Sequence, residues 1–198
     1  MAKPLQKIMR YIGEHGMVRP RDIEAIGLPR EYLVRLHRQG KLNRSGRGIY
    51  TVPDADVTER HSYAEVAKRV PEAVICLLSA LAFHEITTQS PPSVWIALGK
   101  GARRPVLPSP SLRIVRLSGP SLTEGIENHQ VEGVPVRVYS AAKTVADCFK
   151  FRNKIGLDIA IEALKDCLRQ KKASINEIYR YAKICRVSNV MRPYMEAL

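Results

Sequence analysis

Between Leu5 and Pro53 short amphipathic stretches alternate with glycine and proline punctuation, and this rhythm restricts the fold more than any other feature of the chain. Leu5, Ile8, Met9 and Ile12 recur at helical spacing, and Gly13 or Gly16 ends the helix they imply. Val18 opens a second element, where Pro20 takes a first-turn position and Ile23 and Ile26 point inward. Gly27 supplies a sharp turn, Pro29 starts a third helix, and Gly40 closes it in the left-handed conformation that glycine adopts at little cost. Within that helix Tyr32, Leu33 and Leu36 form one apolar stripe, so Arg30, Val34, Arg35, His37 and Arg38 face outward. Leu42 to Arg44 and Ile49 to Val52 are short strands around the two-glycine turn Ser45-Gly46-Arg47-Gly48. Three helices followed by a basic hairpin read as a winged helix-turn-helix. Its third helix packs with one side and offers the other to a DNA major groove.

Charge agrees with that reading. Residues 1–53 hold eleven lysines and arginines (Lys3, Lys7, Arg10, Arg19, Arg21, Arg30, Arg35, Arg38, Lys41, Arg44, Arg47) against Glu14, Asp22, Glu24 and Glu31, a net +7 of the chain's +13. Concentrated positive charge releases counterions from a phosphate backbone and supplies the sequence-independent part of DNA affinity. Arg30, Arg35 and Arg38 are the major-groove candidates, with Arg30 at the helix start placed first for a guanine edge. Arg19, Arg21, Lys41, Arg44 and Arg47 are candidates for positioning the backbone, and Arg44 and Arg47 at the wing reach phosphates or the minor groove.

The remaining residues read as a second, mixed domain. Pro53-Asp54-Ala55-Asp56 has the composition of a linker. Helices are expected over 61–70 and 79–86, the latter with Ser79 as N-cap, and strands over 94–98 and 112–117 with a Gly/Arg/Pro loop between them. A strand or hairpin around Gly133 spans 131–139, and helices over 141–151, 157–170, 174–185 and 189–197 complete the chain. The fold class is therefore α+β: a winged helix-turn-helix at 1–53, then a mixed α/β domain with a helical C-terminus at 61–198. A hydrophobic content of 45 % fits a folded protein, and no run of ~18 apolar residues is present to span a bilayer. The start turns directly into an amphipathic helix without the apolar core of a signal peptide, which points to the cytoplasm. Cys76, Cys148, Cys167 and Cys185 are far apart with apolar neighbours, so they read as buried reduced thiols.

Several constellations resemble sites without completing one. Ser140-Ala141-Ala142-Lys143 has SxxK spacing but lacks the partner motifs, and Ser140 reads as an N-cap. Asp147, Asp158, Glu162, Asp166 and Lys165 are the residues a metal-dependent nuclease would draw on. All lie on expected helices, and Asp158, Glu162 and Asp166 share one helical face. Gly99-Lys100-Gly101 is too short for a phosphate loop, His84-Glu85 lacks the second histidine of HExxH, and Trp95 reads as core. Arg103-Arg104 is either a second phosphate contact or a plain exposed loop. No catalytic residue, metal or cofactor is assigned, and the chain reads as a non-enzyme. The alternative is a metal-dependent nuclease or nucleotidyltransferase with a DNA-binding module.

The chain resembles the AbiEi family of antitoxins, the transcriptional-regulator half of a bacterial toxin–antitoxin and phage-defence system. In the N-terminal part the resemblance lies in Leu33, Arg35, Leu36, Gly40, Leu42, Arg44, Gly48, Ile49 and Tyr50. Further on it lies in Leu78-Ser79-Ala80-Leu81-Ala82-Phe83-His84, Pro91, Pro92, Val94, Trp95 and Val138-Tyr139-Ser140. Thr144, Ala146 and Asp147, then Asn153-Lys154-Ile155-Gly156-Leu157-Asp158 and Glu162-Ala163-Leu164, complete it. The resemblance implies binding to inverted repeats in the protein's own promoter, repression of the operon, and a C-terminal domain that opposes a nucleotidyltransferase-like toxin. In several members that opposition needs no stable complex, the arrangement grouped as type IV.

Overall fold

Helix α1 (Lys3–His15) buries Leu5, Ile8 and Ile12 at the spacing its sequence dictates, in a computed structural model that describes residues 3–45, 48–53 and 58–197. These side chains meet Ile23 of α2 (Pro20–Ala25) and Leu33 and Leu36 of α3 (Glu31–Arg38), with Val18, Leu42 and Tyr50 completing the cluster. Strands β1 (Asn43–Ser45) and β2 (Ile49–Thr51) pair antiparallel, Arg44 opposite Tyr50. Val18 adds a bridge on the other edge of β2: its N–H donates to the Tyr50 carbonyl at 3.0 Å, and Tyr50 N–H donates back at 2.9 Å.

α4 (His61–Arg69) belongs to the same compact unit, which takes in Met1–Pro71, Pro108–Pro110 and Gln130–Val136. Its polar side chains hold β1 and α2. The Ser45 hydroxyl donates to Glu65, Arg69 donates to the Ser45 carbonyl at 3.2 Å, and Lys68 Nζ lies 2.9 Å from Asp22. At the helix start His61 meets the Glu132 carboxylate at 2.7 Å, and the Thr58 N–H and hydroxyl donate to its other oxygen at 2.8 and 2.9 Å. Glu132 lies in a turn where Gly16 and Gly133 approach backbone to backbone. Both have positive φ, and a Cβ on Gly16 would fall 1.7 Å from the Glu132 carbonyl oxygen.

The second unit comprises Glu72–Leu107, Ser111–His129 and Arg137–Leu198. The chain's five-stranded sheet runs β5-β4-β3-β7-β6, with β3 (Val74–Ile75), β4 (Val94–Gly99), β5 (Leu112–Leu117), β6 (Ile126–Val131) and β7 (Val134–Tyr139). β4 pairs parallel with β5 and antiparallel with β3, and β3 pairs parallel with β7. The helices are α5 (Leu77–Phe83), α6 (Pro120–Thr123), α7 (Ala141–Lys150), α8 (Arg152–Ile155), α9 (Leu157–Arg169), α10 (Ile175–Cys185) and α11 (Ser188–Glu196). α7 is buried on all sides from Ala141 to Phe149, because its small residues let α5, α9 and α10 pack close.

The long periodic elements fall where the sequence places them, and two local expectations, the Ser79 cap and the start of α3, are corrected. Ser79 does not cap α5: the helix starts at Leu77, and the Ser79 hydroxyl accepts the Trp95 N–H at 2.9 Å inside the core. Of the two readings for 131–139, a strand or a hairpin around Gly133, the structure has the hairpin: two strands joined at Glu132-Gly133, both at positive φ, as a two-residue turn requires. Pro29 and Arg30 precede α3 rather than belonging to it. Elements of two to four residues (β3, α6, α8) have too little length to show a period. The expected linker residues 54–56 and the turn residues 46–47 lie outside the described residues.

Candidate nucleic-acid interface

The exposed side of α3 is built by the apolar stripe on its other side. Leu33 and Leu36 are wholly buried and Tyr32 packs partly against the same cluster, which fixes the rotation of the helix. Glu31, Val34, Arg35 and Arg38 are exposed, and they fall at the i, i+3, i+4 and i+7 positions of one face. Among the described residues Arg35 and Arg38 have no acidic partner. Basic groups in the last turn also face the negative end of the helix dipole, which stabilises them there without a carboxylate.

Arg30 is placed differently. It is the residue before the first helical turn, and its Nε lies 3.8 Å from Glu24 and 3.7 Å from Glu31. Exposed pairs of this kind contribute little stability, yet both carboxylates compete with any acceptor that approaches Arg30.

The hairpin is tied to the end of α3 through one aromatic ring. His37 Nδ1 hydrogen-bonds the Leu42 carbonyl at 2.9 Å, which fixes the path from helix to β1. The Tyr50 ring is buried, with the His37 ring 6.2 Å away edge-on and the Arg44 guanidinium 6.0 Å from its centroid. The last turn of α3 and the first hairpin strand therefore place side chains around the same ring. Lys41 is exposed at the hairpin base. Arg21 is exposed, 3.9 Å from Asp22, whose carboxylate also accepts the Arg19 backbone N–H at 2.8 Å. Arg19 itself is half-buried, and its Nε has no partner among the described residues. Arg47, an expected backbone contact, lies outside the described residues.

The residues weighed for chemistry elsewhere are engaged in other ways. Ser140 caps α7 by accepting the Lys143 N–H at 3.3 Å, as expected of a serine opening a helix. Lys143 and Asp147, one turn apart, form a buried ion pair; Cys185 donates to the second Asp147 oxygen at 3.2 Å, and the Lys143 ammonium sits 4.1 Å from the Tyr139 ring centroid. Burial raises the Asp147 carboxyl above its ordinary value, with the Lys143 charge pulling the other way. Asp147 is thus an internal partner of Lys143, whereas Asp158 and Glu162 are solvent-exposed and Asp166 pairs with Arg169 at 2.9 Å. Among the described residues no three His, Cys, Asp or Glu side chains are grouped to hold a metal ion. His84 Nε2 bonds the Tyr139 carbonyl at 2.7 Å, and burial lowers its pKa. Trp95 and all four cysteines are buried, as their neighbours imply; burial pushes the Cys167 thiol up to about 11 and the Cys185 thiol up to about 12. Sequence reasoning did not find the His37–Leu42 bond, the Tyr50 junction or the α4 brace, since each depends on a contact made only after folding.

Residues 6–53 match the model of a family described as transcriptional regulator, AbiEi antitoxin. The resemblance seen in the sequence is shown over that stretch, which runs from within α1 through β2. No curated protein matches the chain. No helix among the described residues is long and apolar enough to cross a membrane.

Proposed function

We propose that this protein is a DNA-binding transcriptional repressor and antitoxin that autoregulates its operon and counteracts a nucleotidyltransferase-like toxin. Residues 1–53 form the DNA-contacting winged helix-turn-helix, and residues 61–198 carry the antagonism of the toxin. The protein is cytoplasmic, acts in phage defence, and binds duplex DNA at inverted repeats of its own promoter. It works as a regulator without an enzymatic step.

The observation that supports this most is the outer face of α3, where Arg35 and Arg38 stand exposed without acidic partners among the described residues, beside a hairpin that carries Arg44. The order α1, Val18 bridge, α2, α3, β1, β2 supports a winged helix-turn-helix, as does the match over residues 6–53 to a family described as transcriptional regulators. In the mechanism, α3 enters the major groove and Arg35 and Arg38 donate two N–H groups each to guanine O6 and N7. Arg30, shared with Glu24 and Glu31, contributes less to the bases than its position before the helix suggests. Arg19, Arg21, Lys41, Arg44 and Arg47 position the phosphates, and each phosphate neutralised steepens the salt dependence.

Fluorescence anisotropy tests the reading. The purified protein should bind the duplex upstream of its own gene at least ~10³-fold more tightly than random duplex at physiological salt. Arg44→Ala should lower the salt slope by about 1 on both DNAs. Equal affinity for the two duplexes would remove the repressor assignment, and an unchanged slope would remove Arg44 from the interface.

A further inference from the structure

The outer face of α3 carries one apolar group among its charges. Val34 is 41 % exposed, one of only five large hydrophobic side chains among the described residues that stand open to solvent. It lies directly beside Arg35 and one turn before Arg38, on the side of α3 opposite the buried Leu33 and Leu36. A β-branched residue at an exposed helical position loses rotamer freedom, and here no packing compensates for it. Arg35 and Arg38, which have no acidic partner among the described residues, lie beside the patch, so an uncharged, greasy protein partner would have to desolvate them. Glu31, on the same face, is offset by Arg30 3.7 Å away, and the occupant that suits the Val34–Arg38 part of the face is an anionic surface with a methyl group set among hydrogen-bond acceptors. The major groove of duplex DNA offers that combination: guanine O6 and N7 for arginine, and the thymine C5 methyl for an apolar side chain.

We propose that Val34 is a specificity-determining residue that reads the C5 methyl of a thymine in each operator half-site, next to a guanine read by Arg35 or Arg38. The proposal rests on the DNA-binding reading above and adds to it a base, an atom and a residue. Val34 supplies sequence preference through apolar contact alone. It makes no hydrogen bond and neutralises no phosphate, so it leaves the salt dependence of binding unchanged.

The test selects bound sequences from a randomised duplex library with the wild-type protein, then replaces each thymine of the selected site, one at a time, by deoxyuridine. Uracil keeps every hydrogen-bonding group of thymine and lacks only the methyl. One thymine per half-site should show about fourfold weaker binding on replacement, the affinity equivalent of one methyl-sized apolar contact. Val34→Ala should lose the same factor on the thymine duplex and be indifferent to deoxyuridine at that position, with its salt slope and its affinity for random duplex unchanged. Enrichment of a sequence in which no deoxyuridine weakens binding, or in which Val34→Ala keeps the full wild-type response to the methyl, overturns the role of Val34 while leaving DNA recognition intact. A library that yields no enriched sequence removes DNA recognition and this proposal together. The deoxyuridine scan on the wild-type protein needs no variant, so a scan without a sensitive thymine overturns the proposal even where Val34→Ala fails to fold, and Val34→Ser, which also lacks the two methyl groups, then tests whether a sensitive thymine is read by this residue.

Discussion

α3 and α7 treat positive charge in opposite ways. On α3, Arg35 and Arg38 are open to solvent with no acidic partner among the described residues, on a helix held by two leucines and a tyrosine. On α7, Lys143 is wholly buried, with Asp147 one turn on, Cys185 behind the carboxylate and the Tyr139 ring beneath the ammonium. A guanidinium in water loses nothing by lacking a partner and remains available to one. An ammonium removed from water must be matched where it stands, and its partner is then unavailable for chemistry. The same residue types therefore mark a surface for binding in one helix and a fixed core in the other.

The sharpest way to break this contrast is to remove one member of the buried pair. Lys143→Met leaves the Asp147 carboxylate buried without its counter-charge and should destabilise the protein by roughly 3–5 kcal/mol in urea denaturation. The double variant Lys143→Met, Asp147→Leu, which replaces both charges by apolar groups of similar volume, should regain most of that loss. A single variant as stable as wild type would show that the pair is solvated, and Asp147 would return to the carboxylates open to chemistry.

The counterpart on α3 is a change that affects binding and leaves stability alone. Arg38→Ala should shift unfolding by no more than about 0.5 kcal/mol and weaken operator binding by about 1–3 kcal/mol. Arg30→Ala should cost the complex less, because Glu24 and Glu31 already occupy its guanidinium. Glu24→Gln with Glu31→Gln should tighten operator binding when Arg30 is present and do so less in the Arg30→Ala background. A loss from Arg30→Ala equal to or greater than that from Arg38→Ala would restore the helix start as the principal base reader.

These contrasts also separate what the sequence discloses from what it hides. The stripe of Tyr32, Leu33 and Leu36 is legible because a helix sorts its neighbours by period, so the outward set of Arg35 and Arg38 follows from local spacing alone. The fate of Arg30 is not legible, since the approach of Glu24 depends on the turn between α2 and α3. The burial of Asp147 is equally hidden: its place on α7 reads like any charged helical position until α5, α9 and α10 close around it. Strand β6 escapes because Ile126-Glu127-Asn128-His129-Gln130-Val131 is polar between its ends, as an edge strand beside only β7 can be. Ser79 is misread as a cap because its true partner, the Trp95 N–H, lies 16 residues away in the chain.

A smaller and more local effect attends the turn at Glu132, where the first unit uses a charge in a third way, half-buried and held by hydrogen bonds. Burial works to raise this carboxyl, but the Thr58 N–H, the His61 ring and the Thr58 hydroxyl together outweigh it and hold the group below its ordinary value of 4.5. A carboxyl depressed in the folded state stabilises it fully above the unfolded value, and that contribution is lost as pH falls through the folded one. Glu132→Gln retains the turn geometry and removes the titration. Its Tm should lie below that of wild type at pH 7 and approach it at a pH well below 4.5, once wild-type Glu132 has taken up its proton. A Tm difference of the same size at both values would mean that hydrogen-bond geometry, rather than the carboxylate charge, holds α4 to the Gly16–Gly133 contact, and the unit would then keep its arrangement through mild acid.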